Sequence, residues 1–180
     1  MAWTTPFEFG SPRLTFCPCD AASAVRLRSI VADPQVAQPY YLGQTSGSLP
    51  RCEAEDWQQG PDRWAQKGRF VVAAACRHTS VVIGCVQLTP SRLSYFVARP
   101  FWNRGYGREM VLACCQFLPQ RLGILALEAV VLRENMASRR ILERAGFDFM
   151  GLATQERSDR PGSAMVLHYR RGLVADAPTA

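Results

Sequence analysis

The sequence predicts a single α+β domain, a mixed and mostly antiparallel sheet flanked by helices, and three observations carry that expectation. Three short β-branched, apolar segments (69–77, 81–88 and 92–98) follow one another across tight turns, which is the pattern of an antiparallel meander. A strand then runs through a glycine loop into an amphipathic helix. No internal repeat and no domain-sized linker interrupts the 180 residues, a length that suits one hydrophobic core. Residues 1–11 read as a loose lead-in, 12–172 as the domain and 173–180 as a C-terminal tail.

Composition narrows the function class. Apolar residues make up 48% and charged residues 20%, the balance of an ordinary globular protein. No window approaches the unbroken apolar run of a membrane helix, and the N-terminus lacks the basic start and apolar core of a secretory signal. A cytoplasmic location is expected. The seven cysteines are odd in number and form no Cys-x-x-Cys pair, so they read as small reduced core residues and no metal is expected. The net charge of +6 is almost wholly arginine, Lys67 being the single lysine. These arginines are scattered, which argues against a nucleic-acid arm and leaves an anionic cofactor as a partner for the charge.

Taken in order, Pro12 to Cys19 alternates Leu14 and Phe16 as a first strand. Asp20 is a suitable N-cap for a helix over Ala21–Ala32. Residues 34–50 read as loop, and Glu53–Lys67 as two short helices cut at Gly60-Pro61. Tyr40, Tyr41, Trp57 and Trp64 in that region either anchor the helices or line a pocket. After the meander a helix is expected from about Gly105 to Leu118, broken at Pro119. Ile124–Leu132 is a nearly continuous apolar strand, as expected when both faces are buried. Asn135–Ala145 reads as helix, and Phe147–Thr154 and Ala164–Tyr169 as final strands.

The chemistry-bearing segment is Asn103-Arg104-Gly105-Tyr106-Gly107-Arg108, placed between a strand and a helix. Unpaired amides at a helix N-terminus and the helix macrodipole favour an anion there. Two glycines let the backbone approach a ligand, and Arg104 and Arg108 can add charge-assisted bonds to phosphate. Met110 stands where a Rossmann fingerprint needs a small residue, and the Gly-Lys-Ser/Thr of a P-loop is absent. Alone, such a loop is equally a glycine turn that opens a helix.

A second motif follows about thirty residues on. Asn135 is a good N-cap, Ser138 lies three residues later, and Gly146 supplies the C-terminal stop. Together, Trp102-Asn103-Arg104-Gly105-Tyr106-Gly107-Arg108-Glu109, Asn135-Met136-Ala137-Ser138 and Ala145-Gly146-Phe147 resemble the GNAT acyl-CoA N-acyltransferases, and within them the RimJ/RimL branch that acetylates protein N-termini and related amines. The resemblance implies a sheet splayed in its middle, with acetyl-CoA (coenzyme A) wedged into the splay. Backbone groups of Phe96 and Val97 would pair with the pantetheine arm, and Arg104, Gly105, Tyr106, Gly107 and Arg108 would hold the pyrophosphate. Asn135 matches the family's coenzyme-contacting asparagine. Ser138 matches a serine near the thioester sulfur that can act as acid to the leaving thiolate. The implied reaction is direct attack of a primary amine, from a protein N-terminus, a polyamine or a small molecule, on the thioester. A homodimer is compatible with this reading.

The sequence departs from the family at the position of its usual base. Arg92 stands near the place where many relatives carry an acid, and Glu128, His168 and Tyr169 are the substitutes in view. The missing acid leaves a second reading open, a catalytically weak acyl-CoA-binding sensor or interaction protein on the same fold.

Overall fold

The structure, a computed structural model, describes residues 9–37, 70–89, 91–156 and 162–173. The expected helices of 53–67 and the aromatic residues between 40 and 64 lie outside the described residues. An eight-stranded sheet forms the frame: β1 (Phe9–Gly10), β2 (Leu14–Pro18), β3 (Phe70–Cys76), β4 (Val82–Thr89), β5 (Arg92–Val97), β6 (Ala126–Leu132), β7 (Asp148–Glu156) and β8 (Ser163–Gly172). Their order across the sheet is β1-β2-β3-β4-β5-β6-β8-β7. Among the described strands, every pairing is antiparallel except β5 with β6. Phe9 and Gly10, inside the segment read as a lead-in, pair with Phe16 and Thr15, and the Phe9 ring stacks between Phe16 and Phe117.

Among the described residues, three longer α-helices dress the sheet. The first, α1 (Ala21–Val31), starts where Asp20 accepts hydrogen bonds from the Ser23 N–H and hydroxyl, and these bonds hold the Asp20 carboxyl below its ordinary pKa. Its Leu27 and Ile30 pack on one sheet face with Ala73, Cys85 and Phe96. The second, α2 (Tyr106–Leu122), buries Met110, Val111, Cys114 and Leu118 completely on the opposite face. The third, α3 (Met136–Arg144), joins the same core through Leu142.

Pro119 does not break α2, which runs on to a left-handed Gly123. The proline stands in the last turn and is itself buried. There it removes only its own amide bond, and Gly123 closes the helix by donating to the Leu118 carbonyl. Within the apolar strand, Glu128 of β6 is exposed and lies in register between Arg92 and Arg170.

One feature of the sheet sets up the site. Parallel strands need a crossover connection, and the chain from β5 to β6 supplies it through α2. β5 and β6 pair in register only at Arg92 and Glu128, with the Glu128 N–H donating to the Ser91 carbonyl. Beyond that point the two strands diverge toward their C-terminal ends. Both following helices therefore begin at the open end of one splay.

Candidate active site

The loop from β5 to α2 is shaped by its backbone. Asn103 (φ 59°) and Gly105 (φ 81°) take left-handed conformations, which asparagine and glycine tolerate best. Gly105 is the N-cap of α2 and has no side chain with which to cap it. The first amides of α2, at Tyr106, Gly107 and Arg108, consequently point out of the helix with no intrahelical partner. Arg104 and Arg108 are exposed and have no ion-pair partner among the described residues. A cradle of free N–H groups at the positive end of a 17-residue helix, flanked by two guanidiniums, fits a diphosphate. All five loop residues singled out from the sequence are brought together here.

Arg13, which the sequence reading did not single out, braces this loop. Its Nε donates to Glu109 Oε2 (2.6 Å) and its Nη1 to the Arg104 carbonyl (2.9 Å). The Arg13 N–H and the Ser11 hydroxyl both donate to Glu109 Oε1, at 2.8 and 2.6 Å. The Arg13 guanidinium also lies over the Tyr106 ring, 4.4 Å from its centroid. Burial pushes the Glu109 carboxyl up, but the bonds from Ser11 and Arg13 and the Arg13 charge outweigh it and hold the pKa below the ordinary range. The acid beside the anion cradle is thus already neutralised by its partner.

The splay edge is contributed by β5. Ala98 donates to the Ile83 carbonyl, and Gly84 pairs with Val97 in register. The alternation of an antiparallel ladder then turns the amide and carbonyl of Phe96 toward β4, and those of Tyr95 and Val97 toward the splay. The Val97 carbonyl is taken by Trp102 Nε1 at 2.6 Å, so its N–H and the Tyr95 backbone remain facing the opening. Of the two residues expected to meet the pantetheine arm, Val97 turns its N–H toward the opening. Phe96 does not, because its polar backbone is spent on the sheet and its ring is packed against α1. Tyr95 takes its place.

Across the splay, Asn135 Oδ1 accepts the Ser138 N–H at 3.1 Å and caps α3. The Ser138 Oγ lies 3.0 Å from the Tyr95 hydroxyl. Gly107 lies alongside, where a Cβ would sit 3.0 Å from Ile141 Cδ1 and 3.6 Å from Tyr95 Cε2. The first turn of α2, the first turn of α3 and the outer half of β5 therefore meet at one place.

The substitute bases do not. Tyr169 is buried, and its hydroxyl donates to Glu143 Oε1 at 2.8 Å, far along α3 from Ser138. Burial and the Glu143 carboxylate both push the Tyr169 pKa up. His168 pairs with Val130 on the sheet face opposite Leu167 and Tyr169. Glu128 sits at the closed end of the splay between two arginines.

The Acetyltransferase (GNAT) domain matches residues 13–148. Among solved structures, the chain is similar to the ribosomal-protein-S5-alanine acetyltransferase of Vibrio fischeri (TM-score 0.73, 14% identity, covering 96% of this chain and 100% of that one). It is similar to the Salmonella typhimurium acetyltransferase that modifies the N-terminal serine of 50S ribosomal subunit protein L7/L12 (TM-score 0.74, 16% identity, 91% and 97% covered). It is also similar to RimL, a ribosomal L7/L12 alpha-N-protein acetyltransferase solved with coenzyme A (TM-score 0.71, 16% identity, 92% and 97% covered). At these identities the structural likeness is one of fold. The domain match spans most of the chain, and the chain belongs to the GNAT family of acetyl-CoA-dependent acetyltransferases.

Proposed function

We propose that this enzyme transfers the acetyl group of acetyl-CoA to a primary amine, with the coenzyme lying along the splay from the α2 N-terminus to Ser138. The observation that carries the reading is the convergence of two helix N-termini on one strand edge that keeps its N–H groups free, at Tyr95 and Val97. Bound acetyl-CoA supplies an activated thioester. The amides of Tyr106, Gly107 and Arg108, with the Arg104 and Arg108 guanidiniums, bind the diphosphate. The Val97 N–H and the Tyr95 backbone hold the arm and offer donors to the carbonyl oxygen where negative charge develops. Asn135 fixes the first turn of α3, and Ser138 Oγ–H is directed at the leaving sulfur. Holding the two reactants together supplies much of the remaining acceleration.

For the acceptor, the supporting observations are the similar structures described as acting on ribosomal-protein N-termini. Peptides beginning with serine or alanine are accordingly the first acceptors to try, ahead of polyamines and small amines. Free CoA release from acetyl-CoA across such a panel tests the reading. Turnover on at least one amine is expected. Tight coenzyme binding with no turnover on any amine would leave a coenzyme sensor in its place.

A further inference from the structure

Ser138 carries the hydroxyl assigned to the leaving sulfur, yet a serine hydroxyl rotates freely and has one proton to give. In the first turn of a helix that proton is easily lost to a nearby backbone carbonyl. Something has to aim it. The Ser138 N–H is already bound to Asn135 Oδ1, and the group that touches its Oγ is the Tyr95 hydroxyl at 3.0 Å.

The direction of that bond follows from counting protons. Tyr95 has no other hydrogen-bond partner for its hydroxyl among the described residues. If Ser138 donated to Tyr95, the phenolic proton would be left without a protein partner in a half-buried place. If Tyr95 donates, the Ser138 proton is left free to turn toward the splay, where a bound thioester sulfur can accept it. A phenol is also a better donor and a poorer acceptor than an aliphatic hydroxyl. Burial pushes the Tyr95 pKa up to about 12, against a smaller downward pull from Ser138, so the phenol keeps its proton at any working pH.

The ring that delivers the bond is itself held still. Tyr95 is fixed in register opposite Val86 in the sheet, and its ring edge lies 3.6 Å from where a Gly107 Cβ would stand. From β5 its hydroxyl reaches across to the first turn of α3 at Ser138.

We infer that Tyr95 is a positioning residue, which donates its phenolic O–H into Ser138 Oγ and so aims the serine proton at the leaving sulfur. This rests on the role given to Ser138 above. The Tyr95 O–H bond stays intact throughout. As the thioester C–S bond breaks, the electron pair goes to sulfur, and Ser138 meets it with a hydrogen bond that Tyr95 polarises and orients.

The test is a cycle of Tyr95→Phe, Ser138→Ala and the double variant, since Phe removes one oxygen and keeps the ring. Tyr95→Phe should lower kcat by roughly 10-fold to 100-fold with KM for acetyl-CoA little changed, and the double variant should be no slower than Ser138→Ala. A second readout needs no turnover: in the coenzyme-free protein the Tm losses of the two single variants should be non-additive, as for partners of one bond. An unchanged kcat in Tyr95→Phe, losses that multiply in the double variant, or additive Tm losses would overturn the inference. If Ser138→Ala itself retains full kcat, the Ser138 role falls and the inference with it. If Ser138→Ala is slow while Tyr95→Phe is not, the Tyr95 inference alone falls.

Discussion

Arg13 and Glu109, 96 residues apart in the chain, are joined by an ion pair of 2.6 Å and two further hydrogen bonds. The start of β2 is thereby tied to the first turn of α2, beside the loop proposed to hold the diphosphate. Glu109→Ala removes the carboxylate that pairs with Arg13 and leaves the Arg104 brace held by Arg13 alone. A loss of about 1.5–3 kcal/mol is expected from these charged bonds, visible as a Tm several degrees lower, together with weaker acetyl-CoA binding by calorimetry. Unaltered Tm and affinity would show that the brace is idle.

The same pair makes a prediction about pH. The folded Glu109 pKa lies below its ordinary value, so its contribution to stability is complete above the unfolded pKa and is lost as pH falls through the folded one. The Tm difference between wild type and Glu109→Ala should therefore be constant near neutrality and shrink in acid, below the usual carboxylate range. A gap that persists unchanged at low pH contradicts the assignment.

Gly84 faces the Phe96 carbonyl so closely that any Cβ would be driven into that oxygen, and the obstacle is backbone rather than a movable side chain. Gly84→Ala should cost roughly 1–3 kcal/mol and disturb the β4–β5 ladder that presents Tyr95 and Val97. Both a lower Tm and a higher KM for acetyl-CoA are expected. A variant that melts and binds like wild type would mean β5 yields at no cost.

Local chemistry was readable in the sequence wherever the partner lay within a turn. The Asp20 cap on Ser23 and the Asn135 cap on Ser138 follow from short spacings, and so do the glycine loop and its helix. What the sequence hid depends on strand register. The contacts of Arg13 with Glu109 and of Tyr95 with Ser138 cross 96 and 43 residues, and only the alternation of β5 decides that Tyr95 rather than Phe96 faces the splay. The reading of Ile124–Leu132 as buried on both faces holds for Leu127 and residues 129–132 but not for Glu128, which β6 leaves exposed beside two arginines. Pro119 misled because a proline in a final turn costs a single bond, which a packed core can offset.

Ser138→Ala should reduce kcat by about 100-fold while coenzyme affinity changes little, since its N–H remains available to Asn135 Oδ1. Steady-state kinetics beside calorimetry separates the two effects. Equal turnover would reduce Ser138 to a packing residue.

The most direct measurement is calorimetric titration of acetyl-CoA into wild type, Gly105→Glu and Gly105→Asn. The glutamate would place a carboxylate in the anion cradle, whereas asparagine tolerates the same left-handed φ without the charge. Binding is expected for wild type, retained in large part by Gly105→Asn and abolished in Gly105→Glu, with all three folded by circular dichroism. No heat from wild type, or equal affinity in Gly105→Glu, would contradict the placement of the diphosphate at the start of α2.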